Sequence, residues 1–456
     1  MQHVQKMKVM TGSVRRLLRR SAYGHVVNLL EKLHPGDVSH IMQELNDREQ
    51  LAVFSVLMGH DRRLAAETLN ELEVERGLDL LSTFSGAEIA QVLQELEADD
   101  QAVFISALPE ELAREVLDRM RVEESVEVQG LLQYDEETAG RIMTPNVFAL
   151  HEELSVGEAI HTIQTTQDLE MVFYLYVVDK RNHLVGVASL RQLLMVPPTT
   201  PLKKVMTTDV IAVSTDTDQE EVARQVALYD ILAIPVVDHE NKLVGVITVD
   251  DVIDVIKDEA TEDILHLAGV EADDRMHTPA RSSLRKRLPW LVINLATALL
   301  AATVVAYYEP TIARLPLLAI FLPVVAGMGG NSGTQTLTVM VRSLALGEVS
   351  WKNARTALLK EILVGVSNGV ALGILAGLVA YLWRGNLLIG VVLAGAMIAN
   401  MLVAGVSGTL VPLVVKKLNV DPAIASGIIL TTFTDVVGFF SFLGLAATLL
   451  HYVPAL

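Results

Sequence analysis

Cysteine is absent from the 456-residue chain, which removes disulfides and thiolate metal sites and leaves carboxylate, carbonyl and imidazole groups as the available ligands. Basic residues are scarce as well: 36 Lys and Arg stand against 55 Asp and Glu, for a formal net charge of −19. Clustered Lys and Arg are what bind a phosphate backbone, so nucleic acid is excluded as a partner and hard cations are favoured. The N-terminus, MQHVQKMKVMTGSVRRLL, has no apolar stretch followed by a small-residue cleavage site and does not read as a signal peptide. The soluble part of the chain is therefore expected to stay on the side where it is synthesised.

What the chain does have is unevenly distributed. Up to about residue 287 it is crowded with Asp and Glu; from Leu288 to Leu456 it is dominated by Leu, Val, Ala, Gly and Ile. A helix crossing the hydrocarbon core needs roughly 20 mainly apolar residues, and stretches near 288–308, 315–345, 357–383, 387–415 and 422–450 meet that length. Arg281, Arg285, Lys286, Arg287, Arg342, Lys352, Arg355, Lys360, Lys416 and Lys417 fall at one set of span ends, against only Arg314 and Arg384 at the other. By the bias of Lys and Arg toward the cytoplasmic face, the N-terminal half is expected in the cytoplasm and the C-terminus outside.

Three polar features in these spans are costly if they face lipid. MGGNSGTQT at 328–336 reads as a cavity-lining or buried segment, because lipid cannot satisfy the hydrogen bonds of a broken helix. Its Asn331, Ser332, Thr334 and Gln335 favour a pore wall over a small-residue packing seam. In SGIILTTFTDVVGFFSFLGLA at 426–446, Asp435 reads as the only acidic residue deep inside a span, and Thr431 and Thr432 before it join the pore-lining set. An ionised carboxylate at that depth costs several kcal/mol unless it meets water or a cation. Asn400 and Ser407 offer either oxygen ligands or simple bonds between helices. One carboxylate per chain is a poor cage for a bare divalent ion. Two copies related by a two-fold axis would supply the charge for an ion that keeps much of its water, and Mg2+ suits that arrangement.

The soluble half contains a repeat at an offset of about sixty residues. GRIMTPNVFALHEELSVGEAIHTI followed by MVFYLYVVDKRNHLVGVASLRQLL matches KKVMTTDVIAVSTDTDQEEVARQV followed by ILAIPVVDHENKLVGVITVDDVIDVI. Each copy reads as a short β run, an amphipathic helix, two strands joined by a turn at Arg181-Asn182 or Glu240-Asn241, and a closing helix. Residues 1–130 read as short helices with L-x-x-L patterning, punctuated by HPGD, SGAE and LPEE.

The two copies resemble a tandem CBS pair, and almost the full chain resembles the MgtE-type magnesium transporter family, most specifically in GGNSGTQ and TTFTDVVGF. The resemblance implies a multidomain fold: an all-α superhelical N domain (1–132), an α/β tandem CBS pair (133–258), a plug or connecting helix (259–286) and an all-α five-helix transmembrane domain (287–456). It implies a homodimeric, magnesium-selective channel in the cell membrane that imports Mg2+ and closes when cytoplasmic magnesium is high. It also implies that Asp218, Glu220, Asp230, Asp251, Asp254, Glu259, Glu262 and Asp263 are sensor residues, facing Asp99 and Asp100 of the N domain. From the residues alone, that charge run reads equally as a solvated helix face. The CBS cleft is a candidate site for ATP, with Asp216, Thr248 and Asp251 near the positions such domains use for a ribose, although no phosphate-cradling Gly-rich loop is present.

Other functions stay open on the residues. A secondary carrier exchanging Mg2+ or Mn2+ for H+ or Na+ would also need an intramembrane carboxylate. Intramembrane hydrolysis would need a second carboxylate or a His at membrane depth, and His451 lies at the far end of the last span, so no enzyme activity is expected.

Overall fold

The computed structural model describes residues 2–145, 147–166, 174–271, 274, 278, 280–418 and 420–452. The chain divides into two compact units, Met1–Val255 and Ile256–Leu456.

In the first unit, ten helices, α1–α10, are described between Gln2 and Leu131. The punctuating motifs start helices for identifiable reasons. Ser85 and Glu88 of SGAE form a capping box at the start of α7 (Gly86–Leu93), each satisfying a backbone N–H of the other. In HPGD, His34 accepts from the Gly36 N–H, and Pro35 takes the first helical position, where a missing N–H costs nothing.

The repeat folds as two matching halves. The first comprises β1 (Ala149–His151), α11 (Val156–Thr165), β2 (Tyr174–Val178), β3 (Leu184–Ser189) and α12 (Leu190–Leu194). The second comprises β4 (Val213–Ser214), α13 (Gln219–Tyr229), β5 (Ala233–Val237), β6 (Leu243–Thr248) and α14 (Val249–Leu267). In each three-stranded sheet the first strand pairs parallel and the third antiparallel to the second. The predicted turns are the point of exchange between the copies. Asn182 and Asn241 have φ of 65° and 64°, a left-handed conformation that Asn tolerates better than most residues. Leu184 N–H donates to Asn241 O and Leu243 N–H to Asn182 O, both at 3.0 Å. A continuous hydrophobic core runs from the N-terminal helices into the second copy, from Val26, Phe54 and Phe104 to Ile234, Ile247 and Val252.

Helix α14 crosses the boundary between the units and ends before Gly269, at φ 71°. Of the segment 259–286 expected as one connecting helix, residues 259–267 are the second half of α14 and 280–286 are the start of α15 (Ala280–Tyr307). Residues 272, 273, 275–277 and 279 of it lie outside the described residues, as does 171–173 at the start of the first copy's strand.

The second unit carries α15 (Ala280–Tyr307), the short α16 (Glu309–Arg314), α17 (Leu317–Ala345), α18 (Ala354–Arg384), α19 (Leu387–Lys417) and α20 (Pro422–Tyr452). Five of these are long and apolar enough to cross a membrane. The last three have 31 residues each, about 46 Å of helix against a hydrocarbon core of about 30 Å. Helices α18 and α19 meet along glycines spaced four apart. A Cβ on Gly365, Gly369, Gly373 or Gly377 would come within 2.6–2.8 Å of the α19 backbone, so only glycine allows this approach.

Candidate functional site

The segment 328–336 differs from its expected broken backbone: it lies inside the continuous helix α17. Packing of one face overrides the low helix propensity of its glycines. Gly329, Gly333 and Thr336 are buried, with Gly333 against Leu430 of α20, whereas Asn331, Thr334 and Gln335 are exposed and Ser332 is half-buried. The helix therefore carries a buried seam on one face and, opposite it, a polar face that the described residues leave uncovered.

Asp435 is half-buried on α20, 13 residues after Pro422, about 20 Å along the helix. The hydroxyls around it are already committed. Thr431 donates to Gly427 O and Ile428 O, Thr432 to Ile428 O and Thr434 to Leu430 O, at 2.7–3.2 Å. Among the described residues nothing hydrogen-bonds or pairs with the Asp435 carboxylate, so it does not stitch helices together. Ser407 is likewise turned to its own helix, donating to Val403 O at 2.6 Å, whereas Asn400 reaches across to α17, its Nδ2 donating to Val325 O at 2.8 Å.

Asp435 is not the only acidic residue buried in a span. Glu361, seven residues into α18, is 7% exposed, and Thr336 Oγ1 donates to its Oε2 at 3.0 Å. It was not singled out in the sequence. The only signal available was its place within the predicted third span.

In the first unit, the structure brings Asp99 and Asp100 of α8 (Ala98–Ala107) to Asp251 at the start of α14. Asp99 is 7% exposed, and burial followed by the charge of Asp251 raises its carboxyl well above the usual range. The same two causes push Asp100 up to about 7. Burial pushes Asp251 to about 6, against a hydrogen bond from Thr248 that favours its charged form. Glu97, which the sequence reading passed over, adds to the repulsion on Asp99 and Asp100 and accepts from Thr144 Oγ1 at 3.0 Å. Asn70 Nδ2 donates to Asp100 at 2.7 Å, while Asp99 Oδ1 is buried with no partner. Three crowded, desolvated carboxylates are a place where a cation gains what repulsion costs.

The other sensor candidates lie elsewhere. Asp218 is the N-cap of α13, accepting from the Glu220 N–H at 2.8 Å; Glu220 is in its first turn, and Asp230 closes it at φ 52°. Asp254 is exposed on α14 one turn beyond Asp251. In the second unit, Glu259, Glu262 and Asp263 continue α14. There His266 Nδ1 lies 3.0 Å from Asp421 Oδ2 and 3.5 Å from Glu262 Oε1, and burial and the Asp421 charge raise the Asp263 pKa. Asp421 and His266 were not singled out in the sequence, where Asp421 before Pro422 signals only a helix start. Among the described residues no three His, Asp or Glu side chains converge as a preformed metal cage.

A helical domain and a CBS pair joined to five membrane-length helices define a multi-pass membrane protein with a folded extramembrane part. Residues 33–137 match the MgtE intracellular N domain, 139–199 and 202–258 match CBS domains, and 322–445 match the divalent cation transporter domain MgtE. The magnesium transporter MgtE of Bacillus subtilis is 34% identical over 95% of this chain and 96% of its own length. That of Enterococcus faecalis is 38% identical over 72% of this chain and 73% of its own. The crystal structure of the cytosolic domain of the Mg2+ channel MgtE in complex with ATP is 36% identical, with a TM-score of 0.51, covering 54% of this chain and 99% of that one. The chain belongs to the MgtE family of divalent cation transporters.

Proposed function

We propose that this chain forms a magnesium-selective channel that imports Mg2+ across the cell membrane and closes when cytoplasmic Mg2+ binds between its N domain and CBS domains. The observation that carries the conduction half is Asp435: a carboxylate in mid-span with no bond to any described residue, on a helix packed against the one that bears an uncovered polar face. A membrane helix does not present Asn331, Thr334 and Gln335 to lipid, so a second copy is the economical cover, and a homodimer brings two Asp435 carboxylates to one hydrated ion. Conduction is assigned to Asp435 with Asn331, Ser332, Gln335, Thr431 and Thr432, and the N-terminal half to the cytoplasm.

The sensing half rests on Asp99, Asp100 and Asp251. Bound Mg2+ neutralises their repulsion and favours the compact state of the first unit; removing it lets the carboxylates separate. The acidic run Asp254, Glu259, Glu262 and Asp263 on α14, with Asp218, Glu220 and Asp230 on α13, is proposed to supply further weak sites. Since α14 continues unbroken across the boundary between the units, it is the segment proposed to carry the change toward the spans. The CBS pair is also proposed to take ATP, as the cytosolic domain of the solved relative does; Asp216, Thr248 and Asp251 are the ribose candidates.

Single-channel recording of the purified protein with Mg2+ varied on the cytoplasmic face tests this. Currents that shut as Mg2+ rises support gating, whereas flux coupled in fixed stoichiometry to H+ or Na+ makes the protein a secondary carrier. Asp435→Ala should abolish Mg2+ flux while the protein still assembles; normal flux would remove the pore assignment.

A further inference from the structure

The side chain of Asn400 is fully buried in α19, at 0% exposure, and faces two other spans. Its Nδ2 donates to Val325 O of α17 at 2.8 Å. That bond fixes the amide's orientation, because turning it over would set its oxygen against the Val325 carbonyl oxygen. The space around the amide is supplied by glycines of two helices. A Cβ on Gly329 of α17 would lie 2.1 Å from Asn400 Nδ2, and one on Gly438 of α20 would lie 2.7 Å from it. Both contacts are closer than real Cβ atoms come. Each glycine is on a turn that matters to conduction: Gly329 precedes Asn331 by two residues, and Gly438 follows Asp435 by three.

Chemistry separates this contact from ordinary packing. Asn400 Oδ1 is buried and accepts nothing from the described residues, a standing cost for a polar group in a dry interior. A leucine, with the same branching and no polar atom, would occupy the same place with no orphaned oxygen. What the amide provides, and leucine cannot, is a directed bond that sets the axial position of α17 against α19, with both notched helices held on the same group.

We propose that Asn400 is a positioning residue for ion conduction: it holds the polar face of α17 and the Asp435 turn of α20 in register and so sets how tightly the ion is held at Asp435. This rests on the reading of Asp435 as the conduction site. Loss of the directed bond lets α17 slide along its axis by a fraction of a turn, misplacing Asn331 and Gln335 while the apolar seams stay closed.

The test is mutual suppression, read as Mg2+ uptake into proteoliposomes with an entrapped magnesium-sensitive dye. Gly329→Ala adds a carbon where the amide sits and should lower uptake at least tenfold. Asn400→Ala in the same chain empties that space and should recover uptake at least fivefold over Gly329→Ala alone. Asn400→Leu, assembled normally, should raise the Mg2+ concentration for half-maximal uptake at least threefold, a change that loosened packing alone does not produce. If Asn400→Leu fails to assemble, the double variant decides. Asp435→Ala is measured alongside. Normal uptake in that variant removes the conduction site and this proposal with it. Abolished uptake there, with no recovery in the double variant or with half-maximal uptake unmoved in Asn400→Leu, overturns the role of Asn400 while leaving the site in place.

Discussion

Thr336 Oγ1 donates to Glu361 Oε2 at 3.0 Å, joining the last residue of the polar segment on α17 to a carboxylate on α18 that is almost entirely buried. The other oxygen of Glu361 lies 3.2 Å from Lys360 Nζ, whose side chain is largely exposed, so one end of the carboxylate is held by a hydroxyl and the other reaches toward water. Removing the donor leaves a buried acceptor bare, which costs about 1–3 kcal/mol. Thr336→Val should therefore lower the thermal stability of the detergent-solubilised protein by that amount, whereas Thr336→Ser, which keeps the hydroxyl, should cost less. Equal melting of Val and Ser variants would mean the bond contributes nothing.

The three crowded carboxylates of the first unit make a pH prediction whose sign is fixed. Folded-state pKa values above the usual 3.9 mean that the folded protein binds more protons than the unfolded chain as pH rises through about 4 to 7. Stability is thus highest below that window, is lost across it, and stays lowered above it. A divalent cation should restore at pH 8 what deprotonation removes and should do little at pH 5. Limited proteolysis of the full chain, scored at the N domain with and without Mg2+ at both pH values, checks this. Protection by Mg2+ that is equal at the two pH values counts against these carboxylates as the site.

Along the α18–α19 seam, Gly373→Leu places side-chain atoms where the first added carbon already lies 2.8 Å from Ala394 O. Backbone, unlike a side chain, cannot turn aside. Overpacking of this kind costs about 1–3 kcal/mol or more, so the variant should melt well below the parent or fail to insert. Gly327→Ala meets nothing within 4 Å and is the control expected to match the parent. A stable, active Gly373→Leu would mean the two helices do not approach this closely.

How much of this was legible in the sequence depends on the range of the interaction. The five spans follow from length and composition, and the paired CBS folds from a repeat whose turn residues Asn182 and Asn241 tolerate a left-handed conformation; both signals are local. Glu361 was missed because its hydrogen-bond partner, Thr336, lies on another helix and 25 residues away. Asp421 and His266 were missed for the same reason, at a separation of 155 residues. The predicted break at 328–336 did not occur because two faces of one helix can serve two purposes. Composition shows glycine and polar residues together and is silent on which face each takes.

The sensor candidates separate by position, and that separation can be measured. Asp251 is the member of the acidic run that sits against Asp99 and Asp100, so its charge is opposed at close range in a dry setting. Glu220 and Asp230 lie at the two ends of α13, and Asp230 is exposed, where a charge is largely screened. Asp251→Asn keeps the shape and the bond from Thr248 and removes the charge. In channel recordings it should raise the cytoplasmic Mg2+ needed for half-closure by about tenfold, equivalent to about 1.4 kcal/mol of binding. Adding Asp254→Asn and Glu259→Gln should extend the shift until the channel stays open at high Mg2+. Glu220→Gln with Asp230→Asn should move half-closure less than about twofold, the scale of an exposed charge interaction. Half-closure unmoved in the Asp251 variant, or moved equally by the α13 pair, would return sensing to the whole acidic surface and remove the Asp99–Asp100–Asp251 cluster from its centre.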